Sequence, residues 1–148
     1  LANEKEKKIL EEKFDISRIE IELIKLERMF VDKIFAAEFY YVRNMYMDVS
    51  KHLYDISVLY ANSKIQKLLQ NKKELSNLIK YKRQEEKVRI GGIDENTKIK
   101  DFNYFKLEFS DGLIKEFENM QNKYVLNNKY KLSIDKVKNI LKDIYNKI

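Results

Sequence analysis

The chain has no cysteine and no proline, three glycines and a single histidine, His52, in 148 residues. Without cysteine there is no disulfide framework, no thiolate metal site and no thiol nucleophile. One histidine excludes a histidine-rich metal centre. With proline absent and glycine scarce, few positions interrupt a helix, which favours long helices. No apolar run approaches the ~18 residues of a membrane span, and no secretory leader is recognisable, so a cytoplasmic protein without a membrane partner is expected. The first residue is Leu1 rather than methionine, which suggests a processed, trimmed or incompletely represented chain.

What is present suffices for one core. Apolar residues make up 44% and aromatic residues 12%, against 36% charged, a balance that argues for a folded domain rather than disorder. The length fits a single domain over residues 1–148. A net charge of +6 points to a polyanionic partner, RNA or a nucleoside triphosphate, without choosing between them.

Leu1–Phe14 carries four glutamates and four lysines and reads as a solvated lead-in helix. Over Asp15–Leu26, Ile19, Ile21 and Leu23 alternate with Glu20, Glu22 and Ile24, the period-two pattern of a strand with one dry face. A lone strand needs partners for its edges, and no other convincing strand follows. A second indication of a missing N-terminal piece therefore lies here. The competing expectation is one helix running from Leu1 to Val42.

A helix follows from about Glu27 to Arg43. Between Met29 and Val42 its only charges are Asp32, Lys33 and Glu38, so burial on most of its circumference is expected. The residues three, four and seven positions after Lys33 are Ala36, Ala37 and Tyr40. An ammonium among such neighbours is costly to desolvate unless an anion meets it. Asp55, an anionic ligand, or both would serve. Asn44–Val49 reads as a connection, with Asp48 or Ser50 capping a helix to Asn62.

Ser63 caps a short helix to Leu69, Asn71–Lys73 turns the chain, and Glu74–Val88 is helical. Arg89–Lys100, with Gly91–Gly92, is an exposed loop rather than a phosphate loop, because no Walker lysine accompanies the glycines. Phe102–Phe109 is expected as an extended aromatic segment over the helices. Ser110 and Asp111 start a helix to about Leu126. Ser133 caps the last helix, whose apolar stripe is Ile134, Val137, Ile140, Leu141, Ile144, Tyr145 and Ile148. From Asn122 onward seven lysines face two aspartates, which fits a solvated face or an RNA-facing surface. The fold class expected is mainly α (α+β): a helical bundle over 27–148 preceded by one strand.

Two runs, LERMFVDKIFAA (Leu26–Ala37) and SKHLYDISVLY (Ser50–Tyr60), carry a family likeness. In this order they resemble the C-terminal half of the AbiEii/AbiGii-type nucleotidyltransferases, toxins of bacterial toxin–antitoxin and abortive-infection systems. Glu27, Arg28, Phe30 and Lys33 match the first family run, with Met29 where threonine is usual. Ser50, His52, Tyr54 and Asp55 match the second, with Lys51 in place of arginine and Ile56 in place of leucine. The likeness spans roughly Ile16 to Ile148, and its specific part is these two runs.

The resemblance implies a DNA polymerase β-like nucleotidyltransferase that moves a nucleotide from a nucleoside triphosphate to an acceptor such as tRNA, with Mg²⁺, and that meets a cognate antitoxin. Lys33 would be the phosphate-side cation and Asp55 the accessory carboxylate, orienting Lys33 or acting as base toward an accepting hydroxyl. Arg28 and Lys82 would join Lys33 on the phosphates, and Ser50, Lys51, His52 and Tyr54 would support the site. The family's Gly-Ser run and Asp-x-Asp pair, which hold the metal, occur nowhere in these 148 residues. The chain is therefore expected to be the helical C-terminal portion, inactive alone.

Plainer expectations stand beside these. Lys33 would snorkel to solvent, Asp55 would pair with Lys51, and His52 would be a structural partner at the helix start. Arg28 would cap carbonyls, Lys82 would lie on a solvated face, and the tyrosines would be core aromatics with polar tips. The alternative function is a non-catalytic basic module binding RNA or an antitoxin. A third possibility is a helical domain in which Lys33 and Asp55 merely tie two helices together.

Overall fold

Neither of the two helices that organise the fold has a side-chain cap at its N-terminus; burial holds both. The computed structural model describes residues 3–14 and 23–148, and these form a mainly α structure. The helices are α1 (Glu4–Phe14), α2 (Leu26–Tyr41), α3 (Tyr46–Tyr60), α4 (Ser63–Gln70), α5 (Lys72–Val88), α6 (Asp111–Tyr124) and α7 (Ile134–Lys147). No strand occurs among the described residues. Most of the expected strand, residues 15–22, lies outside them. Leu23–Lys25 is non-helical, so a single helix from Leu1 to Val42 is excluded.

Every residue of α2 is buried or half-buried, as its scarcity of charge requires. Phe30, Val31, Ile34, Phe35 and Ala37 enter the core, and the helix packs on α3, α4 and α5. α3 contributes Val49, Leu53 and Ile56 and touches α2, α4, α6 and α7. Short helices are marginal on propensity alone, so this two-sided burial carries α2 and α3. By contrast, Asn62, Asn71, Ser110 and Ser133 cap α4 to α7 by accepting a backbone N–H from the first turn. In α1, Asn3 and Glu6 make a reciprocal capping box, and the helix keeps its described side chains exposed.

Three local expectations need correction. α3 begins at Tyr46, four residues before Ser50, and Ser50 Oγ donates to Tyr46 O (2.7 Å) inside the helix instead of capping it. Asn62, not Ser63, caps α4. Residues 102–109 are not extended: a 3-10 turn over Asn103–Lys106 ends at Leu107 in the left-handed region (φ 62°). Phe102, Tyr104, Phe105 and Phe109 are nevertheless buried, so the segment does cover the helices. Glu38, 3% exposed, fixes it by accepting from Asn103 Nδ2 (2.8 Å) and Tyr104 N (3.4 Å).

The loop after α5 folds back tightly. A Cβ at Gly92 would overlap Glu86 O, so only glycine permits that approach. Phe39 sits between the guanidinium groups of Arg43 (3.7 Å) and Arg89 (3.4 Å), which pins the loop to the end of α2. In α7 the stripe holds for Val137, Leu141 and Ile144 in the core, with Ile134, Ile140 and Ile148 packed against it, whereas Tyr145, expected in the stripe, is exposed.

Candidate functional site

Packing of α2 against α3 brings the two sequence runs together. Lys33 Nζ lies 2.6 Å from Asp55 Oδ2, with the side chains 27% and 39% exposed. Asp55 therefore meets Lys33, while Lys51 pairs with Asp48 (3.3 Å). The ion pair borders a groove of about 1090 Å³ between α3, α6, α7 and the α6–α7 connection. Lys33, Lys51, His52, Tyr54 and Asp55 all line it. Ser50 is buried beneath, spent on its helix-interior hydrogen bond.

His52 stacks on Tyr40, ring centroids 5.3 Å apart. Burial, with Lys33 close by, pushes its pKa down to about 4, against the smaller opposing pull of Asp55 and Asp48. At neutral pH the ring is therefore uncharged. Its Nδ1 is buried without a hydrogen-bond partner. Tyr54 is tied differently: its hydroxyl donates to Tyr130 O (3.1 Å) and so fastens the α6–α7 connection to α3.

Arg28 and Lys82 meet each other's partners but do not line the groove. Asp32, adjacent to Lys33 in sequence, receives Arg28 Nε at 3.1 Å and Lys82 Nζ at 3.6 Å. Glu85 pairs with Arg28 (2.5 Å) and Lys82 (3.3 Å). Glu86, whose side chain is fully buried, takes Lys82 (3.1 Å), Arg89 (3.3 Å) and the Ile93 N–H (3.2 Å). Burial raises the Glu86 pKa, but that N–H and the two cations outweigh it and hold the carboxyl below its usual value. Lys82 is only 13% exposed, so the expectation of a solvated face fails. The expectation that Arg28 and Lys82 bind phosphate finds no support in this geometry.

Sequence reasoning missed two features. One is the pair of buried carboxylates, Glu38 and Glu86; the only available signal was Glu38's isolation on a nearly uncharged helix. The other is the far wall of the groove, where Tyr124, Lys129, Tyr130 and Lys136 face α3 across long sequence separations. Mg²⁺, implied by the family likeness, finds no fit: among the described residues no group of three or more acidic or histidine side chains is placed to hold a metal ion, and the acids that do gather, Asp32, Glu85 and Glu86, close on Lys82 instead. No family model, curated protein or solved structure matches this chain.

Proposed function

We propose that this domain serves a nucleotidyltransferase of the AbiEii type, with Lys33 contacting the phosphates of a nucleoside triphosphate and Asp55 holding the ammonium in place. One observation carries the proposal. The two runs that bear the family likeness, 22 positions apart at Lys33 and Asp55, meet at 2.6 Å beside a groove large enough for a nucleotide. A lysine is a compact charge suited to a phosphate oxygen, and partial burial of the pair strengthens its field relative to bulk water. The short contact favours the orienting role for Asp55 over that of general base. Neutral His52 adds no competing positive charge and packs Tyr40 behind the pair.

Transfer itself belongs to groups outside these 148 residues, since the Gly-Ser and Asp-x-Asp features are not among them. The same proposal includes an RNA acceptor such as tRNA, a cognate antitoxin as protein partner, and the cytoplasm of a bacterium as the setting. No helix among the described residues is long and apolar enough to cross a membrane.

The test is equilibrium titration of the chain with each of the four ribonucleoside triphosphates, repeated on Lys33→Ala with the fold checked by circular dichroism. Saturable binding that weakens at least tenfold in the variant is expected. Binding that is equal in both proteins, or absent in the wild type, would overturn the proposal.

A further inference from the structure

The groove extends well past the Lys33–Asp55 pair, and its far wall has a different chemistry. Tyr124 and Tyr130 are 55% and 57% exposed there, and Leu126 is 95% exposed. Lys129 and Lys136 line the same wall and have no carboxylate within ion-pair distance among the described residues. Lys51, which keeps its ion pair with Asp48, stands on the opposite side, 5.9 Å from the Tyr124 ring. Exposed tyrosines interleaved with the unpaired ammonium groups of Lys129 and Lys136, Lys129 resting 4.7 Å from the Tyr130 ring and Lys123 5.4 Å from the Tyr124 ring, match what an unpaired nucleic-acid strand requires along an open channel. Bases stack on the rings while the lysines follow the phosphates, without base-specific contacts. A duplex, whose bases are already stacked on one another, gains nothing from such rings.

We infer that the Tyr124–Tyr130 wall binds a short single-stranded polynucleotide, with its bases on the two tyrosines and its phosphates on Lys51, Lys129 and Lys136. The strand then runs toward the Lys33–Asp55 end. Its identity as the acceptor rests on the nucleotidyltransferase proposal, whereas binding of the strand does not. Tyr54, by holding Tyr130 O, keeps the wall in register with α3.

Fluorescence anisotropy with a labelled eight-nucleotide RNA, its DNA counterpart and the annealed duplex tests this on the full chain. The single strands are expected to bind more tightly than the duplex. Tyr124→Ala and Tyr130→Ala, both at exposed positions, are each expected to weaken binding roughly tenfold. Lys129→Gln with Lys136→Gln should reduce the salt slope by about 1.4 on a log–log scale, about 0.7 for each phosphate no longer neutralised. Preference for the duplex, indifference to both tyrosines, or tighter competition by poly-glutamate than by the RNA would overturn the inference, the last marking the groove as a site for an acidic protein segment. Strand binding that survives Lys33→Ala, together with no triphosphate binding, would remove the acceptor role and leave the strand site standing.

Discussion

Asp32 and Lys33 are neighbours on α2, yet they enter two charge clusters of opposite character. Asp32 joins Arg28, Lys82, Glu85 and Glu86, where each charge has at least one opposite partner and Glu86 is fully buried. Lys33 turns to α3, meets one carboxylate, and borders a groove that neither Arg28 nor Lys82 lines. A closed cluster of this kind gives an incoming phosphate nothing without first breaking ion pairs. An open pair can take a second anion while keeping its carboxylate. The difference separates a cluster closed on itself from a pair that borders a groove, and it cannot be read from residue type.

The largest effect is expected from Glu86→Ala. Removing one partner from a buried ionic group leaves Lys82 without its closest carboxylate and the Ile93 N–H unpaired, at a cost of about 3 kcal/mol or more. Urea denaturation measures it. A loss below about 1 kcal/mol would mean that the cluster is as loosely held as a surface pair.

The next effect is pH-dependent. His52 has a folded pKa of about 4 against 6.5 in the unfolded chain. The unfolded state therefore binds the extra proton first, and stability falls as pH drops from about 6.5 toward 4. Lys33 and Lys51 reinforce the depression, while Asp55 and Asp48 oppose it. A contribution of about 2–3 kcal/mol is expected across that window. Denaturation at stepped pH should show the slope in the wild type and a flatter profile in His52→Gln. Parallel profiles would contradict a buried neutral imidazole.

Lys33→Met should move stability by less than about 1 kcal/mol, because a partly exposed pair contributes little. Thermal melting decides between this small shift and the large loss expected if the pair were purely a tie between helices. Smallest of all, Lys51→Ala on the groove rim should stay within about 0.5 kcal/mol of the wild type in the same melts.

The burial of α2, the caps Ser110 and Ser133, the α7 stripe and Asp55 as a partner for Lys33 were legible in the sequence, because each is written in local spacing and charge. The start of α3 was not: Asp48 and Ser50 are good capping residues, but the buried apolar face of Val49 and Leu53 draws the helix back to Tyr46. The aromatic run Phe102–Phe109 reads as extended backbone, whereas Glu38 and the left-handed Leu107 fold it into a turn. Glu86 lies among Lys82, Arg83, Glu85 and Lys87, and nothing in that local pattern marks it for burial. Only the return of Ile93 and Arg89 buries it. The tyrosine–lysine wall depends on α6 and α7 reaching α3 across some seventy residues (Tyr54 to Tyr130), a contact that local pattern does not encode.

The most direct measurement is calorimetric titration of inorganic triphosphate, the charged part of the proposed ligand alone, into the wild type, Lys33→Ala and Arg28→Ala. The open-pair view expects Lys33→Ala to abolish binding or weaken it at least tenfold, and Arg28→Ala to leave it within about twofold. Equal losses in the two variants, or a greater loss from Arg28→Ala, would contradict the division between an open site and a closed structural cluster.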